Sequence, residues 1–126
     1  MTDLAARVQA GPASRELADE VLVAWGWKKK SWGSEGGWWA NDWIMPTGDY
    51  FNADNFARPN PLRSVDAAMA GVPEGWGFDL FVDTDGKSVA AVYSNDKGSG
   101  VTGSSPAQAL TAACLRAMAE KEGGNG

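Results

Sequence analysis

Leu17, Val21 and Trp25 recur four residues apart, Ser14 stands before them as an N-cap and Gly26 after them as a C′ residue, so the spacing predicts a helix over 15–25. Upstream, residues 4–8 suit a single helical turn before Gly11-Pro12 breaks it. Residues 27–32 and 38–45 read as two strands joined by the flexible run Gly33-Ser34-Glu35-Gly36-Gly37, with aromatic and polar residues mixed on both faces and the registers left open. Between 46 and 62 the chain is rich in Pro, Asn, Gly and Asp, with aromatic anchors at Tyr50, Phe51 and Phe56. That composition predicts a long irregular loop, of the kind that is often functional. Ser64 caps a short second helix in which Val65, Ala68, Met69 and Val72 share a face, stopped by Pro73-Glu74-Gly75.

The clearest hairpin follows. Trp76, Phe78, Leu80 and Val82 alternate, Asp85-Gly86 supplies the turn, and 89–93 returns. A glycine- and serine-rich loop over 95–104 then leads to Ser105 as N-cap and Pro106 at the first position of a last helix. Leu110, Cys114 and Ala117 mark its inward face, with Gln108, Arg116 and Glu120 outside it. The order αββαββα is an α+β plan, an antiparallel β-sheet with helices packed on it; helices on both faces would make an α-β-α sandwich. One domain over 1–122 with a frayed tail at 123–126 is expected, and there is no internal repeat.

A chain of 126 residues buries roughly two thirds of its unfolded surface, enough to fold without a disulfide or metal. The single cysteine, Cys114, fits a reducing cytoplasm. Neither a leader nor a membrane span is read from the sequence, which points to a soluble intracellular protein with no membrane partner. Eleven basic against sixteen acidic residues give a net charge of -5, which disfavours indiscriminate binding to nucleic acid or anionic lipid. A local basic patch for one small anion remains compatible with it.

Three segments carry a family resemblance: Ser14-Arg15-Glu16-Leu17-Ala18-Asp19-Glu20 running into Trp25-Gly26-Trp27; Ser64-Val65-Asp66-Ala67-Ala68 with Val72-Pro73-Glu74-Gly75-Trp76; and Ser105-Pro106-Ala107-Gln108-Ala109-Leu110 ahead of 112–117. Together the chain resembles the phage ABA sandwich domain, a family of small tailed-phage proteins. The central stretch 28–62 is longer and richer in tryptophan than the family pattern. The resemblance implies phage origin, the sandwich fold and residence in the cytoplasm of an infected bacterium. It brings no catalytic motif with it, and fold by itself is weak evidence for function.

The candidate chemistry is sparse. With no histidine, the commonest general base is missing, as are Ser-His-Asp, Cys-His and histidine-based zinc arrangements. Cys114, mid-helix among alanines, reads as a buried structural thiol. Asp83-Thr84-Asp85-Gly86 lacks the closing glutamate of a calcium loop and reads as a turn. Asp42, Asp49 and Asp54 read as solvated loop carboxylates, with a metal or acid–base pair as the alternative. The run 98–105 approaches a helix N-terminus, where free N–H groups favour an anion, but it has no P-loop lysine; plain flexibility is the competing explanation.

Seven tryptophans, five of them between 25 and 39 and a sixth at 43, set the main question. Lys28, Lys29 and Lys30 lie between Trp27 and Trp32, and Arg58 and Arg63 follow across the loop; cations interleaved with aromatic faces suit a nucleobase joined to phosphate. In an extended strand Trp39, Asn41 and Trp43 share one face, two rings flanking an amide. The alternative puts Trp25, Trp38 and Trp76 in the core, with the lysines as a solvated strand edge. Trp25 and Trp76 are assigned to the core, while Trp39 and Trp43 stay candidates for a binding surface.

These observations lead to the expectation of a non-enzymatic counter-defence protein, without catalytic residues, metal or cofactor, that sequesters a cyclic nucleotide or ADP-ribose-derived signal. Lys28, Lys30, Arg58 and Arg63 would meet phosphate, Trp39 and Trp43 would stack the base, and Ser99 or Ser104 would close a site at a homo-oligomer interface. The alternative is a protein-binding inhibitor of a host or defence protein, as anti-CRISPR proteins are, with its acidic charge steering the encounter. An enzyme that degrades a cyclic nucleotide with carboxylates, lysine or a metal ranks third.

Overall fold

A computed structural model describes residues 2–29, 43–51, 59–94 and 97–123. In chain order the elements are α1 (Thr2–Ala10), α2 (Arg15–Ala24), β1 (Lys28–Lys29), β2 (Trp43–Ile44), β3 (Tyr50–Phe51), α3 (Val65–Met69), β4 (Gly77–Val82), β5 (Ser88–Ser94), β6 (Lys97–Gly103) and α4 (Pro106–Gly123). The α+β class, with helices on an antiparallel sheet, is the one expected.

The element order differs from αββαββα at three points. The opening segment is a nine-residue helix, α1, rather than one turn. Within the expected loop 46–62, a turn closed by Gly48 N–H to Met45 C=O at 2.8 Å returns the chain as β3 beside β2. The glycine-rich run after Ser94, expected as a loop, is the strand β6, in register with β5 from Ser88↔Gly103 to Ser94↔Lys97. A strand ladder is made by backbone groups, which glycine has in full, whereas the alternation that announces a strand is written in side chains it lacks.

Caps and turns formed where local chemistry demanded them. The Ser14 and Ser64 hydroxyls accept the N–H of Leu17 and Ala67, each at 3.2 Å, and Gly26 takes the left-handed φ of 104° that ends α2. Asp83 Oδ1 accepts the N–H groups of Asp85 and Lys87 at 2.9 Å each, so Asp83-Thr84-Asp85-Gly86 is the β4–β5 turn.

The main core is built round α4, which lies against β5 and β6 on one side and α1 and α3 on the other. Residues 107–115 are buried all round, Gln108 included at 4% exposure, although it was expected on the outer face. A helix without a polar side belongs inside. Ala107, Ala109, Ala112 and Ala113 let neighbours approach closely: a Cβ on Gly103 would lie 2.5 Å from the backbone N of Ala109. Among the described residues the layers run helices, α4, sheet, with helices on one face of β4-β5-β6. On its other face Phe81 and Tyr93 are 53% and 39% exposed.

A second, smaller core joins Leu22, Trp27 and Trp43, with Trp25 and Met45 packed on it, at the C-terminal end of α2. Trp25 also packs on the main core, its ring filling the space a Cβ on Gly71 would need. Trp76 packs on the main core as assigned.

Candidate functional site

Among the described residues, two cavities of about 460 Å³ flank the helices. The first lies where α4 begins. Ser105 Oγ accepts the Gln108 N–H at 3.2 Å and donates to Gln108 Oε1 at 3.0 Å, so Ser105 is the N-cap, as expected, with Pro106 at the first helical position. Gln108 Nε2 donates to the carbonyls of Val8 and Gly11 at 3.0 and 2.8 Å, tying the end of α1 to the start of α4. Thr111 Oγ1 donates to Pro61 C=O at 2.6 Å and fixes the turn that carries Arg63. Arg63 lines the cavity, its Nε donating to Ala13 C=O at 3.2 Å. Its two terminal nitrogens have no partner among the described residues. Pro106 has no N–H, and Ala107, whose early-helix N–H has no intrahelical acceptor, is also among the residues that line the cavity.

The second cavity lies between α1 and α2, lined by Asp3, Glu16, Asp19 and Glu20 with Arg7, over Leu4, Val23 and Trp43. Much of its charge is matched internally. Arg7 donates to both Glu20 oxygens at 2.8 and 2.6 Å, and this hydrogen bond holds the Glu20 carboxyl below its usual range and pushes the Arg7 guanidinium higher. Arg15 pairs with Asp19 at 2.8 Å.

The expected site residues divide between opposite ends of α2. Arg63 and Ser104 lie toward its start: Arg63 on Ala13, and Ser104 donating its hydroxyl to Gln9 C=O at 3.1 Å. Lys28, exposed in β1, and Trp43, opposite Lys29 in β2, lie beyond its end. The two ends of this ten-residue helix are about 15 Å apart. Trp43 is 1% exposed and belongs to the second core rather than to an open stacking surface. Ser99 sits mid-strand opposite Val92, five residues and about 17 Å of strand before Ser104. Lys30, Trp39 and Arg58 lie outside the described residues, as do Asn41, Asp42 and Asp54.

Sequence reading missed Gln108 and Thr111, whose S-x-x-Q spacing and buried hydroxyl build the first rim. Ser105 followed by Gln108 was the available signal. It also missed the carboxylate rim, which needs α1 and α2 side by side.

Nucleophile chemistry finds little here. The Cys114 thiol donates to Ala68 C=O at 3.7 Å, and burial pushes its pKa up to about 12. Among the described residues no three His, Cys, Asp or Glu side chains gather as metal ligands, and no helix is long and apolar enough to cross a membrane.

No family model matches the chain, and no curated protein or solved structure matches it significantly. The three segments that begin at Ser14, Ser64 and Ser105 each fall at a serine-capped helix start.

Proposed function

We propose that the protein is a non-enzymatic binding protein that sequesters a phosphate-bearing, nucleotide-derived signal, in the manner of a phage counter-defence sponge. The observation that supports this reading is Arg63 on the rim of the cavity where α4 begins. A guanidinium offering the fork of its two terminal nitrogens and a helix N-terminus with a spare donor both favour an anion, and phosphate can accept from both at once. Affinity and copy number are all a sponge needs, because each bound molecule is withdrawn from its receptor by mass action. Titration of the intrinsic tryptophan fluorescence with cyclic dinucleotides, cyclic trinucleotides and cyclic ADP-ribose isomers, then chromatography of heat-released ligand, tests it. Saturable quenching with intact ligand recovered is expected; a cleaved product would make the protein an enzyme, and silence across the panel would discard the reading.

The carboxylate-rimmed cavity between α1 and α2 favours a second reading. Acidic groups around an apolar floor suit a basic side chain of a partner protein, as an inhibitor of a host or defence protein would use. A pull-down from host lysate that recovers no partner would count against it.

A further inference from the structure

The two edges of the sheet β4-β5-β6 are finished differently. On the β6 side, α1 lies against the strand and Gln9 Nε2 donates to the Thr102 carbonyl at 2.9 Å. On the other side β4, Gly77–Val82, is a six-residue edge without a proline or a lysine, the devices that usually blunt such an edge. The bond from Asp83 N–H to Lys87 C=O, at 2.9 Å, sets the alternation of the ladder. Gly77, Asp79 and Phe81 turn their peptide groups toward β5, so Phe78, Leu80 and Val82 turn theirs to the free side, where no described residue meets them. The side chains are equally uncovered. Because α4 lies chiefly over β5 and β6, Phe78 and Leu80 are only half-buried, and Val82 and Phe81 are 62% and 53% exposed.

We propose that a second copy of this chain covers β4, the two β4 strands pairing antiparallel about a two-fold axis at Leu80 to form one continuous six-stranded sheet. With Leu80 opposite Leu80 of the partner, Phe78 faces the partner's Val82. The free peptide groups then meet in hydrogen-bonding pairs, and the half-covered apolar side chains meet on the helix side. On the opposite face Asp79 lies across from the partner's Phe81. In this register apolar side chains meet on the helix side and no two carboxylates face each other. Sliding by one residue sends every apolar row to the wrong face. The nearest registers that keep the faces place carboxylates opposite each other, Asp79 against Asp79 or Asp79 against Asp83. A closed two-fold interface leaves no unpaired β4 edge to propagate. The inference stands independently of the ligand proposed above.

Sedimentation equilibrium of the full chain from about 1 to 100 μM, where mass action populates a dimer of micromolar affinity, is the test. The expected species has twice the 13.3 kDa chain mass. Val82→Lys, at an exposed position, sets an ammonium against the partner's Phe78 and is expected to raise the dissociation constant at least about tenfold with unchanged far-UV circular dichroism. In the proposed register the two Leu80 Cα atoms lie about 5.5 Å apart, within disulfide range, so Leu80→Cys cross-links on mild oxidation while Phe81→Cys does not. A monomer at every concentration, a dimer indifferent to Val82→Lys, or a Leu80→Cys chain that folds and fails to cross-link would each overturn the proposal.

Discussion

The two cavities have nearly the same volume and opposite electrostatic character, and the contrast lies in what the protein has already neutralised. Between α1 and α2, Asp3 and Glu16 stand in the first turns of their helices, where carboxylates favour the positive end of the helix dipole. Glu20 and Asp19 have arginine partners, so that acidity is accounted for by the helices themselves. At the start of α4 there is no acidic residue in the first turn, and Arg63 adds a full positive charge to the same end. Two positive features lie side by side, matched by no carboxylate among the described residues that line that rim, and this is why the proposed ligand is assigned to it. Volume does not distinguish the cavities; uncompensated charge does.

The sharpest way to break the contrast is to loosen the rim that holds the positive cavity. Gln108→Leu leaves the buried Val8 carbonyl and that of Gly11 without their donor, and a loss of about 2–3 kcal/mol in urea unfolding is expected, together with loss of phosphate-ligand binding. Ser105→Ala removes the N-cap of α4 and is expected to cost about 1 kcal/mol by the same measurement, with a weaker ligand response at unchanged far-UV circular dichroism. The smallest effect belongs to the acidic side. Since Arg7 depresses the Glu20 pKa, the pair contributes above the ordinary carboxylate value of 4.5 and its contribution is lost as pH falls through the lower folded value. Both side chains are about half exposed, so thermal melts of wild type and Glu20→Gln should differ slightly at pH 7 and converge in acid. A difference that grows in acid would mean that the pair is not the cause.

What could be read from sequence follows the range of the interactions involved. The caps at Ser14, Ser64 and Ser105 and the β4–β5 turn are decided within a few residues, and each is where the chain predicts it. β6 was invisible because Gly98, Gly100 and Gly103 carry no side chain to alternate. α4 was misread on one side only: an alanine-rich helix shows its inward Leu110 and Cys114 but gives no sign that a second layer will cover Gln108. Trp43 shows the limit of composition, since a ring that can stack a base can equally fill a core, and here Leu22 and Trp27 surround it. Arg63 lines a cavity with the start of α4 rather than with Lys28, which lies beyond the far end of α2.

Isothermal titration of the cyclic nucleotide and cyclic ADP-ribose panel into three proteins, wild type, Arg63→Ala and Glu16→Gln, tests the central claim most directly. Loss of a charge-assisted phosphate contact predicts affinity down by about tenfold to a hundredfold in Arg63→Ala, and Glu16→Gln at wild-type affinity. Binding that survives Arg63→Ala and changes with Glu16→Gln would place the ligand in the other cavity and contradict the account.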